Sequence, residues 1–294
     1  MISPWPPDTA PNTCLPPLPP TAVPGIALPP LACDSHCHVF APQARYPLPA
    51  ERSYTPAIAT LDDYRLLRCT YGIERAVLVQ PSVYGTDNSL LLDSLADEPE
   101  RLRAIAVVPP DLPEGELAAL DRAGVRGVRI NRRNPGGPPL SAIGELGRRI
   151  APFGWHVQLL VEIERVDLDD IHRAAGMPLV VDHFGLLDPA KGPDAPAFRR
   201  LLRLLEAGLC WVKLSAPHRV CGSTVDYEIL SPFVARLVAA RPDRLLWATD
   251  WPHTECYERV PEDAGLFTLM LRWLPSESLR RQILVDNPTR LYWS

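Results

Sequence analysis

From residue 31 onward, short apolar runs rich in Val, Ile and Leu alternate with longer stretches whose apolar residues recur every three or four positions. The runs are "LACDSH" (31–36), "RAVLVQ" (75–80), "RAIAVV" (103–108), "VRGVRI" (125–130), "HVQLLV" (156–161), "PLVVDH" (178–183), "CWVKLS" (210–215) and "RLLWATD" (244–250). They predict eight strands. Helices are predicted over 60–71, 88–97, 114–123, 140–151, 167–175, 194–207, 227–240, 263–273 and 276–285. Strands of nearly continuous apolar character separated by helices indicate a parallel sheet covered on both faces. Eight such units fit a closed (β/α)8 TIM barrel, whose usual length is about 250 residues. A doubly wound open sheet would want a glycine-rich loop after its first strand, and "SHCHVFAPQ" offers none. No repeat of solenoid length and no interdomain linker interrupts the pattern, so residues 31–294 are expected to form a single α/β domain.

Residues 1–30 break the pattern, holding 11 of the 35 prolines. Proline removes backbone donors and fixes φ, which excludes helix and central strand. This segment is expected to be a Pro-rich extended arm, either without order or draped over the barrel.

Composition narrows the class. Hydrophobic residues make up 46% of the chain and charged residues 22%, as in ordinary soluble enzymes. A net charge of -5 argues against binding to nucleic acid or an anionic membrane, which would want a basic face. No apolar run approaches the ~20 residues of a membrane span, and no secretory signal is evident, so a cytoplasmic location is the expectation. The seven cysteines form no C-x-x-C pair, and several sit in apolar segments, as buried reduced thiols do. Lys191 and Lys213 are the only lysines beside many arginines. Guanidinium forks suit carboxylate recognition, although a GC-rich coding sequence gives the same bias.

In a barrel of this type the chemistry gathers at the C-terminal ends of the strands. Those ends carry His36 and His38, Gln80 and Ser82, Arg129 and Asn131, Asp182 and His183, Ser215, then Thr249 and Asp250. Packing alone would not collect polar groups at one rim. Side chains two apart on a strand face the same way, which sends His36 and His38 together toward the barrel mouth. Cys37 between them is expected to face away into the core. Asp34, deeper on the first strand, is expected to bond backbone or a histidine ring. Lys213 in mid-strand suits an interior ion pair better than a reactive amine. His156 stands at the start of its strand, at the opposite rim. His172 falls on a predicted helix. His218 and His253 lie in loops beside the mouth, placed either to touch substrate or to be solvated.

His36-x-His38, His183 after "VVD" and Asp250 in "ATDWPH" resemble the amidohydrolase superfamily. The loops "QPSVYGTDN", "VRGVRIN", "VKLSAPHR" and "TDWPH" resemble its branch of 2-pyrone-4,6-dicarboxylate lactonases and sugar lactonases. The resemblance implies a hydrolase that opens a small carboxylated lactone. Asp250 would be the general base toward water, and His36, His38 and His183 would surround the carbonyl oxygen. Arg129, Arg219, Arg132 or Arg133, Tyr54 and Ser82 match positions that contact substrate. The branch implies chemistry without a metal. The alternative is a single zinc or manganese ion on His36, His38, His183 and Asp250, in a metal-dependent amidohydrolase or a non-oxidative decarboxylase of an aromatic or unsaturated acid. The expected partner is a small-molecule lactone or carboxylic acid. Two positions depart from the pyrone lactonase pattern: Leu186 stands for an arginine, and Leu159, Leu160 and Val161 stand where a tyrosine is expected. Both changes point away from the pyrone dicarboxylate itself, toward a lactone with one acidic group and a more apolar remainder.

Overall fold

The computed structural model describes residues 12–23, 25, 27–222 and 226–294. Eight parallel strands run in the order of the chain: β1 Cys33–Cys37, β2 Arg75–Val79, β3 Leu102–Ala106, β4 Val125–Asn131, β5 His156–Leu160, β6 Leu179–Val181, β7 Cys210–Ser215 and β8 Leu245–Ala248. β1 lies beside β8, so the sheet curls into a nearly closed (β/α)8 barrel. The seam is bonded at the mouth, where Asp250 N donates to His36 O (3.0 Å) and His38 N to Trp251 O (2.8 Å). Lower down a side chain serves as the rung, since Asp34 Oδ1 accepts from Thr249 N at 3.0 Å.

The helices are α1 Leu61–Tyr71, α2 Ser89–Asp97, α3 Glu114–Ala123, α4 Ile143–Ile150, α5 Leu168–Ala175, α6 Pro196–Glu206, α7 Pro217–Cys221, α8 Ser231–Ala240, α9 Asp263–Trp273, α10 Glu277–Arg281 and α11 Asn287–Tyr292. Local chemistry sets their ends. Thr60 and Asp63 form a reciprocal capping box at the start of α1, and Gly72 ends it in the left-handed conformation. Asp167 caps the first amides of α5, and Gly176 closes it. The segment predicted as one helix over 276–285 is α10 followed by a π-type turn at Gln282–Asp286. The short α7 and α11 were not predicted; five and six residues carry too little periodicity to register.

The apolar residues divide into two bodies. A large one fills the space between sheet and helices. A small one, with Val77, Val79, Ile105, Val180, Trp211 and Leu246, plugs the barrel interior and is closed below by Tyr292. His156 is buried at that lower end with its ring edge toward Tyr292 (5.5 Å). Gly127 on β4 makes room for it, because a Cβ there would stand 2.7 Å from His156 O.

Of the Pro-rich segment, residues 12–23 lie along the barrel without helix, and Thr13 makes a single parallel bridge to Thr55. Residues 1–11 fall outside the described residues.

Candidate active site

Above the apolar plug the barrel interior turns polar. Lys213 on β7, wholly buried, donates to Ser35 O (2.9 Å) and Gln158 Oε1 (2.7 Å) and pairs with Asp182 Oδ1 at 3.3 Å. Gln158 in turn donates to Asp182 Oδ2 at 3.1 Å. Burial works against the Asp182 charge, but Lys213, His183 and Arg129 outweigh it and hold the carboxyl below the usual carboxylate range. This ion pair is a platform. His36 stands on it, with Nδ1 3.2 Å from both Asp182 Oδ1 and Lys213 Nζ.

A bulge shapes β1 at this point: Asp34 pairs with Ala76 and Cys37 with Leu78, so three steps on β1 span two on β2. Asp34 is saturated by Thr249, Tyr64 and the His36 amide. His36 and His38 emerge from this anchored strand with rings edge to face and Nε2 atoms 3.3 Å apart. His38 Nδ1 is fixed by Val79 O, and His183 Nδ1 meets Ser215 Oγ at 2.8 Å. All three rings therefore turn Nε2 inward, toward Asp250 Oδ1 at 3.7, 3.8 and 3.5 Å for His36, His38 and His183. That oxygen is buried and has no hydrogen-bond partner, whereas Oδ2 is gripped by Arg219 Nε at 2.6 Å. Burial lowers the basicity of all three imidazoles, His38 to about 3, so the rings are neutral. Burial raises the Asp250 carboxyl above its ordinary range despite Arg219.

The backbone marks the same place. Eight non-glycine residues among those described have positive φ, and seven of them, His183, Phe184, Leu186, Ala216, Asp250, His253 and Glu255, follow β6, β7 and β8. Such conformations cluster where surrounding structure over-determines a functional geometry.

The sequence profile of the amidohydrolase family, Amidohydro_2, matches residues 33–293. The chain belongs to the amidohydrolase family. It is 37% identical to a 2-pyrone-4,6-dicarboxylate hydrolase of Comamonas testosteroni over 274 residues, covering 89% of this chain and 90% of that protein. It is also 37% identical to a 4-sulfomuconolactone hydrolase of Hydrogenophaga intermedia, covering 88% of each. Among solved structures, a probable 2-pyrone-4,6-dicarboxylic acid hydrolase of Acinetobacter baumannii with citric acid bound superposes with a TM-score of 0.78 at 27% identity. The match covers 90% of this chain and all of that one.

The remaining predicted residues of this amidohydrolase fall in different places. Arg129 is buried beside the cluster; Nη1 donates to Gln80 O at 3.4 Å, while Nε, 3.5 Å from Asp182 Oδ2, has no hydrogen bond. Tyr54 is buried within the influence of Glu255 and Arg219, and burial raises its phenol. Ser82 is buried with an unpartnered hydroxyl. Arg132 and Arg133 are exposed on the loop after β4, Arg133 with Nε 3.7 Å from Glu255 Oε1. Arg219 is spent on protein groups: Asp250, Glu255 Oε2 (2.9 Å), Thr254 O (2.9 Å) and Thr254 Oγ1 (2.6 Å). His218 Nε2 approaches Asp250 Oδ2 at 3.5 Å, and His253 packs against His218 and bonds Asp263. The sequence pattern did not single out Glu255, Thr254 or Gln158, and it marked Asp182 only as a polar strand end. A strand-end rule finds residues on β-strands; it does not say which loop carboxylate folds back over the mouth.

The donor set bears on a metal. Val79 O takes the His38 Nδ1 proton, which leaves a bare Nε2 lone pair toward His36. With His36 donating Nδ1–H to Asp182, its Nε2 is bare as well, and two lone pairs beside the orphaned Asp250 Oδ1 fit a divalent cation. With Lys213 donating to the same Nδ1, the His36 proton sits on Nε2 and is given to His38, an arrangement that needs no ion. The platform under His36 offers both.

Proposed function

We propose that this amidohydrolase opens a small lactone carrying one carboxylate by attack of water on the ring carbonyl. The observation that carries the reading is Asp250, buried, one oxygen fixed by Arg219 and the other turned without a partner into three inward imidazoles. Oδ1 takes a proton from the attacking water and returns it to the ring oxygen as the ester C–O bond breaks, and the raised carboxyl is a better base than an exposed aspartate. With the Ser215 hydroxyl donating to its Nδ1, His183 presents Nε2–H to the oxygen on which charge develops. Arg129, with donors to spare, anchors the substrate carboxylate. Tyr54 and Ser82 line the bound ring, and Leu160 and Leu186, which share a cavity with Arg132 and Arg133, leave its far side apolar. The names of the relatives, hydrolases of a pyrone dicarboxylate and of a sulfomuconolactone, support an anionic lactone and a place in the breakdown of aromatic compounds. The pyrone dicarboxylate itself is proposed to be a poor substrate.

In the leading reading the site works with no resident ion, through the His36 tautomer that Lys213 supports. The second reading, favoured by the Asp182 contact, has one zinc or manganese ion held by His36, His38, His183 and Asp250. Bound there, it would supply Lewis-acid polarisation of the carbonyl. The deciding experiment is a panel of mono- and dicarboxylated lactones assayed with purified protein whose metal content is measured. Turnover of a monocarboxylated lactone that Asp250→Asn abolishes is expected, with substoichiometric metal and no loss on chelation. Stoichiometric zinc or manganese with loss on chelation selects the second reading. No turnover of any lactone overturns the activity.

A further inference from the structure

Glu255 is an unusual residue to find folded over the mouth of a site for anions. It holds a left-handed backbone, φ 63°, at a non-glycine position, which is costly unless neighbours enforce it. They do. Its amide donates to Cys14 Sγ at 3.2 Å, and the next residue, Cys256, accepts from Leu15 N at 2.9 Å. The carboxylate so placed bonds Arg219 Nη1 (2.9 Å) and Asn134 Nδ2 (3.3 Å) through Oε2, and Oε1 lies 3.7 Å from Arg133 Nε. Only 12% of the side chain is exposed. Two guanidinium groups and an amide around a carboxylate are what a protein builds to take a carboxylate from a ligand. Here the carboxylate is the protein's own.

We propose that Glu255 determines specificity by filling the second carboxylate subsite of the pocket, so that a dicarboxylated ring meets a negative group where its second acid would bind. The inference rests on the lactonase reading for its substrate class, not for its geometry. A cavity of about 480 Å³ opens beside this cluster, lined by Arg133, His218, Arg219, Tyr227, Glu255 and Tyr257, so a ligand can reach the pair once the charge is gone. Arg129, whose ion pair is with Asp182, remains the anchor for a single carboxylate.

Binding of benzoate and isophthalate, a flat ring with one acid or with two in 1,3 relation, is measured by calorimetry on the full chain and on Glu255→Gln. The variant is expected to bind isophthalate at least tenfold more tightly than the wild type while benzoate changes less than threefold. A smaller gain for isophthalate, or an equal gain for both acids, overturns the proposal. Should Glu255→Gln fail to fold by circular dichroism, Glu255→Ser, which also removes the charge, is judged by the same two ratios. Because binding is read and not turnover, a protein that hydrolyses no lactone but shows the shift refutes the activity and keeps Glu255; the converse result does the reverse.

Discussion

Arg219 illustrates how one side chain can decide the use of another. Its Nε and Nη groups are divided between Asp250, Glu255 and Thr254, and burial opposes its charge less than Asp250 and Glu255 support it. A lysine would bring a point charge without the fork, and Asp250 Oδ2 would lose its fixed partner. Arg219→Lys is expected to lower kcat on the best lactone by about 100-fold, the scale of a misplaced catalytic group, with a smaller change in KM. A dominant rise in KM would show that Arg219 holds substrate instead. Lys213 is a second case at this scale. Removing it as Lys213→Met takes the ammonium from Asp182, which keeps Arg129, His36 and the Gln158 amide beside it, and breaking a buried pair in this way costs about 3–5 kcal/mol. Urea denaturation should report that loss; a stability within 1 kcal/mol of wild type, about the worth of a surface pair, would mean that the platform carries no load. His36, His38, His183 and Asp250 were readable in the chain because strand periodicity and strand ends are local signals. The hold of Arg219 on Asp250, and of Glu255 on Arg219, was not, since it depends on which loops meet across the mouth.

At the scale of elements the strands were legible almost to the residue, because a buried parallel strand is an uninterrupted apolar run and the runs were separated by amphipathic helices. β6 and β8 are shorter than their sequence runs: regular strand ends at Val181 and Ala248, single backbone bonds from Asp182 N and Asp250 N continue past them, and the chain turns into the positive-φ loops that carry His183 and Asp250. What periodicity could not show is how helices are tied to one another. Glu98, at the end of α2, reaches back to α1, where it accepts from Arg65 Nε at 2.7 Å and from the buried Arg68. Burial pushes its carboxyl up, but the two arginines outweigh this and the net shift is downward. A carboxyl depressed in the folded chain stabilises it fully above the unfolded carboxylate range, and the contribution fades as pH falls through the folded value. Glu98→Gln should therefore cost about 1–3 kcal/mol at neutral pH, and the gap from wild type should close in acid. Denaturation curves at a series of pH values test this; a gap that stays constant into acid would remove the ion pair as the cause.

For the molecule as a whole, the seam between β1 and β8 is the place where the barrel, the site and the Pro-rich segment meet. Asp250 and His38 close the barrel by backbone bonds, and outside them residues 12–15 lie across both adjoining loops. Cys14 N donates to Thr55 O and Thr55 N to Asn12 O, each at 2.8 Å, on the loop after β1; Leu15 N donates to Cys256 O on the loop after β8. The segment thus adds a staple between two loops, one of which carries Thr254 and Glu255. Each such bond contributes about 1 kcal/mol net, and ordering the segment offsets part of it. A chain lacking residues 1–16 should consequently lose only about 1–3 kcal/mol and still unfold in a single transition, because every strand and every helix of the described residues lies beyond the cut. Activity should fall further than stability, as Glu255 and Thr254 lose the anchor that positions them against Arg219. Calorimetric melting together with kcat/KM on one lactone checks both halves. A truncated chain that does not fold would show that the segment is part of the barrel's folding unit and not a staple laid over it, and one with unchanged kcat/KM would detach the staple from the site.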